Sequence, residues 1–115
     1  MTPEKEIQNS IMSYFKKLKA SGIDNYVERR QAGGFAYKMG LPDLWVVIFG
    51  KHIEIEVKRP GGQPRATQEK WARRFTEMGA IYLCADSVID IIDLIEKLSI
   101  EHFNAKAGTN EVSID

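Results

Sequence analysis

Asp43, Glu56 and Lys58 are the residues of this chain whose types and spacing best suit chemistry. Asp43 opens a run rich in β-formers. Glu56 and Lys58 stand two apart in the next run, His52-Ile53-Glu54-Ile55-Glu56-Val57-Lys58, which alternates strictly between polar and apolar. Two carboxylates and an ammonium gathered on one face would suit hydrolysis of a phosphodiester. Hard oxygen ligands with open water positions favour Mg2+ or Mn2+ over zinc. Such an ion neutralises charge growing on the phosphate, and the lysine would position the attacking water or stabilise the transition state. His52 and His102 have no neighbours at zinc-ligand spacing. A plainer account also fits these three residues. Pro-Asp is a common turn dipeptide, and Glu-x-Lys on an exposed strand often forms a surface ion pair worth under ~1 kcal/mol.

The elements that must position these residues can be read from periodicity. Thr2-Pro3 resembles an N-cap with proline at the first helical position, and Ile7, Ile11, Phe15 and Leu18 recur at helical spacing, so a helix is predicted over 3–20. Residues 25–30 suit a short strand, and 31–41, with Gly33, Gly34 and Gly40, a loop. Strands are expected over 43–49 and 52–58, joined at Gly50-Lys51 by a type II′ turn. That register faces Phe49 with His52 and Asp43 with Lys58. Asp43, Glu56 and Lys58 then share a face, with Asp43 and Glu56 diagonal neighbours roughly 7–8 Å apart at the backbone. A helix over 65–78 should bury Trp71, Phe75 and Met78, and a strand follows over 80–84. Ser87 should cap a helix carrying Val88, Ile91, Ile92, Ile95 and Leu98. The strand–helix–strand connection implies a parallel crossover, hence a mixed sheet and an α/β class. One domain is expected over 1–103, with 104–115 a mobile tail.

Helical phase brings in two more polar groups. Glu4 lies within about 20° of Ile11 and Phe15 around the first helix, and Gln68 aligns with Trp71, Phe75 and Met78 on the second. Glu6 is the alternative to Glu4 but falls about 140° from Ile11. A polar group ending an apolar stripe needs a partner there, whether a helix cap or a neighbouring site.

Composition narrows the remaining possibilities. The 115 residues are 43% hydrophobic and 28% charged, with no apolar run approaching a membrane span. The N-terminus lacks a secretory pattern, and Cys84, the single cysteine, fits a reducing cytoplasm. Net charge is zero, but residues 1–83 carry 14 basic and 9 acidic side chains while 84–115 carry 2 and 7. A polyanion would therefore be drawn to the earlier part of the chain. Lys38, Arg59, Arg65, Lys70 and Arg74 are candidate phosphate contacts.

In order and spacing, Gly40-Leu41-Pro42-Asp43-Leu44, Ile55-Glu56-Val57-Lys58-Arg59 and Gln68 with Trp71 resemble the VRR-NUC family of PD-(D/E)xK nucleases. Glu4-Lys5-Glu6-Ile7-Gln8, Arg29, Gly33-Gly34 and Gly79 are similar to further features of that family, so the resemblance spans about residues 4–98. It implies a restriction-endonuclease-like αβββαβ core followed by a C-terminal helix. It also implies Mg2+ or Mn2+ held by Asp43, Glu56 and the Val57 carbonyl, Lys58 assisting the attacking water, and roles for Glu4 and Gln68 at the site. DNA would be cut to leave 5′-phosphates. Small stand-alone members look like Holliday-junction resolvases and form homodimers. The exposed face of an edge strand, or Phe35, Tyr37 and Met39, could supply such a contact, though these side chains could equally cover the core or form a flap. A catalytically inactive DNA-binding or assembly module with the same fold is the alternative.

Overall fold

The computed structural model describes residues 2–30 and 39–114, with side chains to residue 107. Lys38, Phe35, Tyr37 and the Gly33-Gly34 pair lie outside the described residues.

Helix α1 spans Pro3–Ala20; the Thr2 hydroxyl accepts from the Lys5 N–H at 3.2 Å, and proline occupies the first turn where its missing N–H costs nothing. Strands β1 (Tyr26–Arg29), β2 (Leu44–Ile48) and β3 (Lys51–Val57) follow as antiparallel neighbours. Helix α2 (Ala66–Glu77) then crosses over to β4 (Ile81–Ala85), which pairs parallel with β3. The mixed sheet has the order β1-β2-β3-β4, so the α/β class and αβββαβ core are as read from periodicity. Helix α3 closes the chain over Val88–Ile114, and its backbone is thus helical well past the expected domain boundary at residue 103.

One face of the sheet carries the apolar core. Leu44, Val46 and Ile48 of β2 and Ile53, Ile55 and Val57 of β3 alternate onto it, and Ile11 and Phe15 of α1 with Ile91, Ile95 and Leu98 of α3 cover it. Fully burying such side chains is worth about 1.5–3 kcal/mol each, so this face sets the register firmly. The other face carries Asp43, Trp45, His52, Glu54, Glu56 and Lys58, and α2 packs on it through Gln68 and Phe75, with Trp71 beside the Phe75 ring. Both rings are half-buried, whereas Met78, the C-cap residue beyond the last helical turn, is 62% exposed rather than buried.

The β2–β3 hairpin departs from the expected register. Its turn is Phe49-Gly50, not Gly50-Lys51: both residues have positive φ (54° and 71°), as a type I′ turn requires, and Ile48 pairs with Lys51. Phe49 tolerates that conformation because its ring packs on His102 and Phe103, at 5.0 and 6.2 Å between centroids. The pairing has slipped by two residues relative to expectation. An even slip keeps every side chain on its face. Continued one step past Leu44↔Ile55, it sets Asp43 opposite Glu56 rather than opposite Lys58, so the two carboxylates become direct neighbours instead of diagonal ones.

Candidate active site

A cleft of about 370 Å3 opens where α1, the start of β2, the end of β3 and α2 meet. Glu4, Asp43, Glu56, Lys58, Arg65 and Gln68 line it, as do Arg29 and Arg30 of β1 and its edge. Glu4 is half-buried and faces this cleft, while Glu6 is exposed and does not line it. Arg59, Lys70 and Arg74 are exposed and stand outside it, with Arg74 lying over the Trp71 ring at 5.8 Å. Their types alone could not distinguish a solvated helix face from a cleft rim.

The centre of the cleft is held by backbone as well as side chains. Asp43 Oδ2 accepts the Val57 N–H at 2.8 Å, which ties the aspartate to the strand that carries Glu56. Gln68 Nε2 donates to Glu56 Oε1 at 2.7 Å, and the Gln68 side-chain oxygen accepts the Arg65 N–H at 2.8 Å. One buried amide thus caps α2 and orients the glutamate. The Lys58 ammonium stands 3.6 Å from Glu56 Oε1. Gln68→Ala is expected to destabilise the fold by about 1–3 kcal/mol, because both bonded groups lose a buried partner; denaturant unfolding measures it.

Gly40 sets the loop that delivers Asp43. Its φ is 76°, and a Cβ there would sit 2.7 Å from Thr67 Cβ and Oγ1 and 2.8 Å from the Thr67 carbonyl carbon. Only glycine lets this loop lie against the first turn of α2. Gly40→Ala should cost about 1–3 kcal/mol in unfolding experiments, by strain and displacement together.

Two buried glutamates on one strand show what is unusual here. Glu54 is 0% exposed and Glu56 is 2% exposed, so neither is the exposed strand charge of the plainer account. Glu54 is neutralised: Arg30 forks onto it and His52 Nε2 contacts its second oxygen. Glu56 instead faces another carboxylate. Its Oε2 is buried with no hydrogen-bond donor among the described residues. Burial, then the Asp43 charge, pushes the Glu56 carboxyl up to about 8 against the pull of Lys58. Burial also raises Asp43, opposed by the Val57 N–H. Both shifts favour the protonated form, so a further positive charge at the pair would be stabilised.

This arrangement fits a divalent cation. An orphaned carboxylate oxygen, a like-charged neighbour and a nearby half-buried acid, Glu4, are what a hard dication would satisfy. Among the described residues no three His, Cys, Asp or Glu side chains form a cluster able to cage a metal. Two carboxylates, completed by backbone oxygen and water, are the protein share that Mg2+ commonly takes.

Comparison with known proteins agrees with the architecture. No family sequence model matches the chain, and no curated protein matches it by sequence. Among solved structures, one described as a VRR_NUC domain superposes with a TM-score of 0.66 at 26% identity, covering 84% of this chain and 97% of its own. The chain has the fold of a VRR-NUC domain. A second solved structure, a VRR_NUC domain protein, matches with a TM-score of 0.64 at 18% identity over 85% of this chain and 88% of that one. The VRR-NUC fold is a nuclease fold, and DNA is the substrate class it suggests. No helix among the described residues is long and apolar enough to cross a membrane.

Periodicity had singled out Asp43, Glu56, Lys58, Glu4 and Gln68, and the fold brings all five to one cleft. It had not singled out Arg30 or Glu54. Alternation along β3 was the available signal for Glu54, since it puts residues 54, 56 and 58 on one face; it carries no information on depth.

Proposed function

We propose that this VRR-NUC domain is a divalent-metal-dependent DNA endonuclease that hydrolyses phosphodiester bonds to leave 5′-phosphates. The observation that carries this reading is the pairing of half-buried Asp43 with buried Glu56, whose Oε2 has no hydrogen-bond partner among the described residues while Lys58 stands beside Oε1. Asp43, Glu56 and the Val57 carbonyl would hold Mg2+ or Mn2+, with Glu4 as an outer acid. When bound, the ion supplies neutralisation of charge developing on the phosphate. Gln68 keeps Glu56 oriented by its 2.7 Å bond. Lys58 holds the attacking water against the phosphorus or stabilises the equatorial oxygens. Lys5, Arg29 and Arg65 on the cleft wall supply sequence-independent phosphate contacts. Arg59, Lys70 and Arg74 would extend that contact outside the cleft, and Lys38, outside the described residues, is a further candidate for it.

Structure-selective cutting of branched DNA by a homodimer, in the manner of a Holliday-junction resolvase, is the specific form we favour. A symmetric junction demands two sites related by a two-fold axis. A cytoplasmic, reducing setting suits the exposed Cys84 thiol. The test is incubation with four-way junction, flap, duplex and single-stranded DNA in Mg2+, Mn2+ or EDTA, with sedimentation of the free protein. Metal-dependent nicking of branched substrate by a dimer is expected. Binding without cleavage of any substrate would point to an inactive DNA-binding module instead.

A further inference from the structure

Arg30 is placed to act on the candidate site without belonging to the carboxylate pair. Its guanidinium forks onto Glu54, Nη1 to Oε1 at 2.6 Å and Nη2 to Oε2 at 3.1 Å, and Nη1 also donates to the Pro42 carbonyl at 2.9 Å. Its backbone N–H donates to the Asp43 carbonyl at 2.8 Å. One residue therefore binds the carbonyls of both Pro42 and Asp43, while the Asp43 side chain is held from the opposite strand by the Val57 N–H. Phe75 of α2 lies against the guanidinium, 6.0 Å from ring centroid to Cζ, and His52, stacked on Trp45, closes the outer side of Glu54. The arginine side chain is 21% exposed and Glu54 is 0% exposed, so the fork is shielded from competing water.

A buried ion pair seldom justifies itself by stability, since apolar residues of similar volume do as well or better. What apolar residues would not supply is a donor to the Pro42 carbonyl. We propose that Arg30, locked by Glu54, is a positioning residue: it fixes the Pro42-Asp43 peptide so that the Asp43 carboxylate is aimed at Glu56 for shared cation binding. Glu54 has the second task of keeping the guanidinium off Asp43 and Glu56, where it would compete with the cation. The inference rests on the metal-dependent reading above.

The test compares wild type, Arg30→Lys and the double variant Arg30→Met/Glu54→Met by calorimetric titration with Mn2+, thermal melting and steady-state cleavage. Lysine keeps the charge but loses the fork. Expected is Mn2+ binding weakened about 10- to 100-fold in both variants, with kcat reduced and KM for DNA unchanged. The double variant should melt at or above the wild-type temperature and still bind Mn2+ weakly, a separation that a merely structural pair would not produce. Wild-type Mn2+ affinity in the double variant would overturn the proposal, even if Arg30→Lys fails to fold. Wild-type protein that binds no Mn2+ would overturn the nuclease reading itself, and this inference with it.

Discussion

Lys58→Met is expected to slow metal-dependent cleavage by about 100- to 1,000-fold while leaving cation and DNA binding nearly intact. Methionine keeps the unbranched stem that runs along the buried end of β3, so packing survives and only the ammonium is lost. That ammonium stands 3.6 Å from Glu56 Oε1 with 14% of the side chain exposed, close enough to the carboxylates to meet whatever they bind. Its charge repels a dication, so its removal should not weaken cation binding. The loss must then fall on the chemical step, where a preorganised cation acts on charge that develops only in the transition state. Single-turnover cleavage at saturating enzyme, alongside Mn2+ titration, separates the two. A rate near wild type would remove Lys58 from the mechanism.

Asp43→Asn should produce two large effects of opposite sign. Cleavage should fall below detection, because one of the two facing carboxylates is lost. The metal-free protein should become more stable at neutral and alkaline pH. The reason is linkage. Glu56 is pushed from the ordinary 4.5 up to about 8, and Asp43 is raised as well. For an acid raised in this way, the folded state binds more protons than the unfolded state between the two values. Stability from Glu56 is therefore fully present below pH 4.5, declines as pH rises through 8, and is level above that. Asparagine removes the second-largest cause of the shift, the Asp43 charge, though burial remains, so the decline becomes shallower. Its amide oxygen can still accept the Val57 N–H. Melting curves in EDTA from pH 5 to pH 9 should show this. Mg2+ at pH 8 should raise the wild-type melting temperature and leave the variant unmoved. A variant less stable than wild type at pH 8, or one equally stabilised by Mg2+, would contradict this account.

How far the sequence could be read follows from what each pattern encodes. Period 3.6 placed α1 over Pro3–Ala20 and favoured Glu4 over Glu6 as the acid nearer the buried stripe, because helical phase reports direction. Period 2 placed Glu56 and Lys58 on a common face, and an even error in the turn left that face unchanged. The direct Asp43–Glu56 opposition was not legible, since Gly50-Lys51 and Phe49-Gly50 are both plausible two-residue turns and a phenylalanine at positive φ is unusual. The Arg30–Glu54 fork was hidden for a different reason: its partners are 24 residues apart, and no local pattern reports pairing across such a separation. Burial of Glu54 and Glu56 was equally hidden, because alternation gives a side and α2 decides the depth. Exposed Met78 shows the same limit at a helix end, where phase continues on paper after the helix has stopped.

Asp43 and Glu56 are proposed to form one cation site at the heart of the cleft. Anomalous diffraction from crystals grown with Mn2+ tests it most directly. A manganese peak is expected within coordination distance of an Asp43 oxygen, the Val57 carbonyl and Glu56 Oε2, the oxygen that has no donor among the described residues. A map in which manganese is absent from that position while Glu56 keeps its present partners would contradict it.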